Sequence, residues 1–520
     1  MRTRAGAATL LLAALVLHPG THHSVRAAQL KGVDGLIRAY DAILEARFDQ
    51  VDAELRKACP PAPLEACEVM AVTALWWRIQ MDPGSRLLDE EFSEAVDHSI
   101  ASAEAWTERS PDNPEGWFYL GASYAARVQW RVLREEKIAA ARDGKQIYRA
   151  LERALELDPG LEDAHFGLGM YRYYADIVPP AAKVFRFLLL LPGGDRKAGI
   201  EQMLRARARG RLLQGEADYQ LQIIYLWYEQ QTARALNILD SLRQHYPGNP
   251  LFLAEIARIQ DEYLHDTTAS LDSWRALLAS AREQRSNAPV LAETQARLAI
   301  ARHLDFLHQT DHAIEQLDAV IAMHPQTPYA SLPLAYLRLG EAHDRLGDRP
   351  AALKAYRAAS ALVTTPDVHR IRATVSERTR HAVDSKRSEA YRLSLDGWRR
   401  LERNDIHEAA TALERSLELH ANDPVARYRY GRVLQAKKND PAALAQFEST
   451  IRGAKNCPPP ILGMAYVEAA RLLERAGRRD QAISYYRVAA ALFGASADTQ
   501  SSATRALTRL HAQNVRTPRD

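Results

Sequence analysis

The chain has 520 residues, with 68 Lys and Arg against 65 Asp and Glu, a formal net charge of +3 and 47% hydrophobic residues. A charge this close to balance argues against a polyanionic partner such as nucleic acid. The three cysteines are joined by no Cys/His cluster with metal-ligand spacing, so no metal site is expected. The length would ordinarily mean several domains, yet no Gly/Ser-rich linker or low-complexity run divides it.

Residues 1–27 read as a secretory signal peptide. Arg2 and Arg4 form a basic start, Ala7 to Leu17 is an apolar stretch, Pro19 and Gly20 break it, and Val25-Arg26-Ala27 offers a cleavage point. The stretch is too short to cross a bilayer, which takes about 20 apolar residues. An uncleaved anchor is the alternative. Without Arg2, Arg4 and Arg26 the mature chain has 65 basic residues against 65 acidic ones. In a bacterial cell this leader directs the chain to the periplasm, with no integral membrane span left after cleavage.

Residues 28–110 carry apolar positions at helical spacing, as at Leu36, Tyr40 and Leu44, then Val69, Val72, Leu75 and Trp76. They are expected to form a helical region that caps the remainder of the chain. Cys59 and Cys67 flank a Pro-rich link within it; in an oxidising compartment they could form a disulfide, and otherwise stay as two buried thiols.

From residue 111 a two-helix signature recurs. In its regular form a small residue is followed twelve positions later by Ala and four later again by a bulky apolar residue. The copies are Gly340, Ala352 and Tyr356; Gly397, Ala409 and Leu413; Gly431, Ala443 and Phe447; and Ala470, Ala482 and Tyr486. Gly397 and Gly431 lie 34 residues apart. The small residue is needed where two helices cross, and the bulky one is expected to fill the space between neighbouring repeats. An isolated pair cannot bury its apolar face, so such pairs stack.

Residues 111–360 hold irregular copies. The first opens at Trp117, Leu120, Gly121 and Tyr124, but its second helix comes 14 residues late, about four helical turns. Two extra turns on each helix predict an elongated hairpin at 127–145 projecting from the body. A second irregularity spans 175–199. Val178-Pro179-Pro180 must end a helix, an apolar run reaches Leu191, and Gly193-Gly194-Asp195-Arg196 opens the next helix with Asp195 as its cap. Residues 361–385 form a seam helix, and 386–515 hold the C-terminal repeats.

Residues 111 to 495 resemble the tetratricopeptide-repeat family, most specifically at Trp117 to Tyr124 and in the four regular copies. The segment from Val178-Pro179-Pro180 to Gly193-Gly194-Asp195-Arg196, followed by Gly199, is similar to eukaryotic proteins of the tetratricopeptide repeat 39 and inclusion-body-clearance type; the leader and shorter body depart from that group. The resemblance implies an all-α, right-handed superhelix whose concave face binds peptides or proteins.

No phosphate loop, His-Glu-x-x-His or Gly-x-Ser-x-Gly pattern is present, so neither catalysis nor a cofactor is expected. The position after each crossing residue should face the groove. It holds Trp398, Arg432 and Arg471, with Tyr428 nearby. Two guanidinium groups beside aromatic faces suit a peptide carboxylate or another anion, unless they pair with local acids such as Glu474. Gly193, Gly194 and Arg196 are a lesser candidate for an anion, because free N–H groups start a helix there. A small molecule or lipid held in the apolar region around 171–191 is the competing function.

Overall fold

The computed structural model describes residues 30–177, 193–381 and 384–515. Among these residues there are 24 α-helices and no strand. The helices pair into antiparallel hairpins: α1 (Val33–Leu44) with α2 (Phe48–Ala58), α3 (Leu64–Met81) with α4 (Asp89–Arg109), α5 (Pro114–Leu133) with α6 (Lys137–Leu157), and α7 (Ala164–Ile177) with α8 (Arg196–Arg209). Next come α9 (Gln214–Trp227) with α10 (Thr232–His245), α11 (Pro250–Glu262) with α12 (Thr267–Arg282), α13 (Pro289–Phe306) with α14 (Thr310–Met323), and α15 (Ser331–Leu346) with α16 (Arg349–Leu362). After the short α17 (Ile371–Arg380) stand α18 (Ser385–Glu402) with α19 (Ile406–Leu419), α20 (Pro424–Ala436) with α21 (Asp440–Arg452), and α22 (Pro459–Arg475) with α23 (Arg479–Ala491), closed by α24 (Ala497–Val515). Each second helix packs on the next first helix along most of the chain, which makes an α-solenoid of tetratricopeptide type.

Local chemistry sets the helix starts. Asn113, Asn249 and Asp423 each accept a backbone N–H of the first turn, and each is followed by Pro at the first helical position. The crossings show why the signature needs small residues. A Cβ on Gly340 would stand 2.5 Å from Tyr356, one on Gly397 2.7 Å from Leu413, and one on Gly431 2.6 Å from Phe447, in each case sixteen residues on. Gly121 meets Leu151 in the same way at 2.7 Å, thirty residues on. α5 and α6 absorb the difference with 20 and 21 residues.

The expected projection of 127–145 is not what the structure has. α4 is itself 21 residues long and runs alongside. Arg134 holds both carboxylate oxygens of Asp89 at 2.7 and 2.8 Å and donates to the carbonyls of Pro83 and Ser85. Trp130 stacks toward Phe92. The tip is thereby tied down, and Arg127 and Arg131 are both spent on the buried Asp143.

First helices of successive hairpins touch one another, as α3 with α5, α13 with α15 and α18 with α20, which places them on the inner side of the curve. In the first half that inner side is filled. The N-terminal helices do more than close an end: they reach across the curve. Asn249 and Asn287 donate to the carbonyls of Leu44 and Glu45, and the Glu45 carboxylate accepts from the Gly248 N–H. Further along, Asp82 accepts from the Tyr329 N–H at 2.9 Å. At the centre lies Glu216 of α9, fully enclosed. Its carboxylate accepts from Tyr40 Oη at 2.7 Å, Trp77 Nε1 at 3.1 Å and Gln220 Nε2 at 2.9 Å. One continuous apolar core runs from Leu30 to Ile259 around it. Cys59 and Cys67 are joined as a disulfide, 2.01 Å between sulfurs.

The stacking changes character at 363–385. α16 packs on α17, and α18 docks instead on α15. Ser388 donates to the carbonyl of Asp344, and Thr310 and Tyr391 share a hydrogen bond of 2.6 Å. Arg429, 3% exposed, donates to Ser394 and to the carbonyl of His308 at 2.6 Å. The C-terminal hairpins therefore lean on the α13–α14 turn and the end of α15.

Candidate partner-binding surface

Trp398, Tyr428 and Arg432 come together on the inner helices α18 and α20. The Trp398 and Tyr428 rings lie 6.3 Å apart, and Arg432 donates to Tyr428 Oη at 3.2 Å. Tyr428 is buried at 3% exposure, while Trp398 and Arg432 are half-buried. Burial raises the Tyr428 hydroxyl above its usual pKa, so it stays protonated as a donor and acceptor. Buried Arg429 lies over the Trp398 ring at 5.8 Å and fixes the aromatic pair from behind.

Arg471 stands further along on α22. Its acid partner is Glu468, one turn back, at 2.7 Å, and not Glu474, which is bound by Arg509. Glu468 also accepts from Gln435 at 2.9 Å, so it links the inner wall of α20 to that of α22. Arg471 keeps about half of its side chain exposed, at 48%. Trp398, Arg432 and Arg471 thus form one exposed-to-half-buried strip with Tyr428 behind it.

At the Gly193-Gly194-Arg196 candidate the helix start and the guanidinium already have partners. Asp195 itself caps α8 by accepting from the Ala198 N–H at 2.9 Å. Arg196 pairs with Glu229 at 2.7 Å, and the same carboxylate accepts from Tyr173 Oη. A Cβ on Gly194 would collide with the backbone at Ala175 and Asp176, so the turn is a close backbone crossing. Most of the apolar region around 171–191, including Val178-Pro179-Pro180, lies outside the described residues.

One arrangement invites an enzymatic reading. Ser270 Oγ lies 3.0 Å from His303 Nε2, and His303 Nδ1 faces Asp261. The serine is fully buried and donates to the Ala257 carbonyl at 2.7 Å. The Nδ1 to Asp261 distance of 3.8 Å is too long for the orienting hydrogen bond. Burial and the neighbouring Arg302 hold the imidazole well below its usual pKa. This is a satisfied packing cluster with no access for a substrate. Sequence reading missed it because Ser270 and His303 sit 33 residues apart on α12 and α13. It also missed Glu216 and Arg429, for which no local pattern in the sequence is a signal.

No protein-family model matches the chain, and no curated protein matches it. Many solved structures do. They include the TPR2AB domain of yeast Sti1 with pHSP90, at 14% identity over 58% of this chain and 99% of that one, TM-score 0.22. A tetratricopeptide repeat protein from Parabacteroides merdae matches at 13% identity over 57% and 98%, TM-score 0.26. The TPR domain of P58(IPK) matches at 12% identity over 86% and 100%, TM-score 0.24.

Proposed function

We propose that this chain is an exported scaffold that binds a protein or peptide partner along the inner face of α18, α20 and α22. One observation carries the reading: the inner face of the first half is filled by the chain's own N-terminal helices, whereas in the second half Arg471 is exposed and Trp398 and Arg432 are only half-buried. An aromatic ring beside arginines is the composition of binding hot spots. The guanidinium groups favour an acidic or carboxylate-bearing segment. Export rests on the leader at residues 1–27, and of the narrower resemblance to the tetratricopeptide repeat 39 type only the architecture is carried over.

The test is capture of partners by the mature protein from its own periplasm, compared with the Arg432→Ala/Arg471→Ala double variant. Loss of a captured protein at unchanged thermal stability supports the reading; an identical capture profile overturns it. Mass spectrometry of the purified N-terminus reads the cleavage site directly, and retention of residues 1–27 would refute cleavage and favour the uncleaved anchor.

A further inference from the structure

A cleft of about 590 Å³ opens between α22, α23 and α24 and shares Arg471 with the inner strip. Its walls carry Arg471 and Arg475 on α22 and Arg505 and Arg509 on α24, each pair one helical turn apart. Residues four apart share a helix face, so the two pairs confront each other across the opening. Ser502 adds a hydroxyl, which accepts from Arg471 Nη2 at 3.3 Å. The lining has a single acid, Glu474. Arg509 clamps it at 2.5 and 2.9 Å, and that pairing holds its carboxyl below the usual range. The acids that hold Arg471 and Arg475, Glu468 and Asp440, are not part of the lining. Arg505 is exposed and pairs with no acid among the described residues.

Glu468, Asp440 and Glu474 offset Arg471, Arg475 and Arg509, so the opening keeps the unpaired positive charge of Arg505, and an anion seated among the four guanidinium groups is favoured. A carboxylate brings one charge and one plane of oxygens, which a single guanidinium fork saturates. Guanidinium groups on two opposed walls match a tetrahedral oxyanion, whose oxygens point in several planes. We propose that this cleft binds a phosphate group, either free or as a monoester on a small organic carrier. The cleft exceeds what phosphate alone fills, so a carrier can be accommodated.

The experiment is calorimetric titration of the mature protein at low salt with inorganic phosphate, with phenyl phosphate and with acetate. The expected result is saturable binding of a phosphate ligand and acetate at least about tenfold weaker, since charge-assisted bonds to a dianion add. Tighter binding of phenyl phosphate identifies a carried group, and equal binding identifies free phosphate. Arg505→Ala should lower phosphate affinity about tenfold with no change in melting temperature, because its side chain holds nothing in the fold. Glu474→Gln should not weaken binding. Absence of saturable binding, acetate equal to phosphate, or undiminished affinity in Arg505→Ala each overturns the proposal. Arg505 lies outside the Trp398–Arg432 strip, so these outcomes leave the partner-binding reading to its own test.

Discussion

The two halves of this solenoid use the same hairpin in opposite ways. From Leu30 to Leu291 the inner helices meet across the curve, and buried polar groups such as Glu216 and Asn249 are satisfied by distant segments. From Ser331 onward the apolar clusters are smaller and track neighbouring hairpins, and the inner face keeps Arg471 about half exposed. Repeats stabilised only by their neighbours leave one face free, whereas repeats that close on themselves spend that face on stability. Binding is therefore expected where closure is absent.

The largest effect should come from breaking the closure. Glu216→Ala leaves Tyr40 Oη and Trp77 Nε1 without an acceptor in a dry interior and should cost about 3 kcal/mol. Hydrogen exchange should rise in α1, α3 and α9 and stay unchanged in α20 to α23; a uniform rise would mean the halves are one cooperative unit. Burial raises the Glu216 pKa, so the folded state holds its proton more tightly than the unfolded one. Stability from this group is thus greatest below the unfolded value near 4.5 and falls as pH rises through the folded one. Glu216→Gln should remove that slope and keep most of the donors satisfied.

A smaller effect is expected at the crossings of the open half. Gly431→Val would drive a methyl into Phe447, which lies 2.6 Å from the ideal Cβ, and should cost about 1–3 kcal/mol. The damage should stay in α20 to α23, as read by exchange, while circular dichroism of the first half's transition is unaltered.

The crossings were legible in the sequence because the bulky side chain sixteen residues on fills the space a larger residue would need, and that offset is local. The same rule gives a second helix 14 residues late after Gly121, and the structure puts Leu151 against that glycine. Closure was not legible. It depends on how small rotations at each hairpin accumulate until Tyr40 meets Glu216, 176 residues away, and no local pattern encodes that sum. The inner strip was legible at Trp398, Tyr428 and Arg432, which are brought together, whereas the arginines of α24, which line the neighbouring cleft, lie outside the repeat signature and so escaped it.

The junction between the halves is the place where acid should act. His303 is buried and His308 half-buried, and desolvation together with neighbouring arginines holds each well below the usual histidine value. His308 lies against Tyr391 of α18, and its carbonyl takes Arg429; the charged groups facing it are Arg429, Asp423 and Arg345. A depressed histidine pKa means the unfolded state binds more protons, so stability is complete above about 6.5 and is lost as pH falls toward the folded values. The chain should therefore melt at a lower temperature at about pH 5 than at about pH 7, by more than its His308→Gln variant does. Tyr391→Phe removes the hydroxyl bonded to Thr310 and should loosen the same junction by about 1 kcal/mol at either pH. If the acid-dependent loss persists undiminished in His308→Gln, the pH response lies elsewhere, and the docking of the open half on the closed half is not what acid releases.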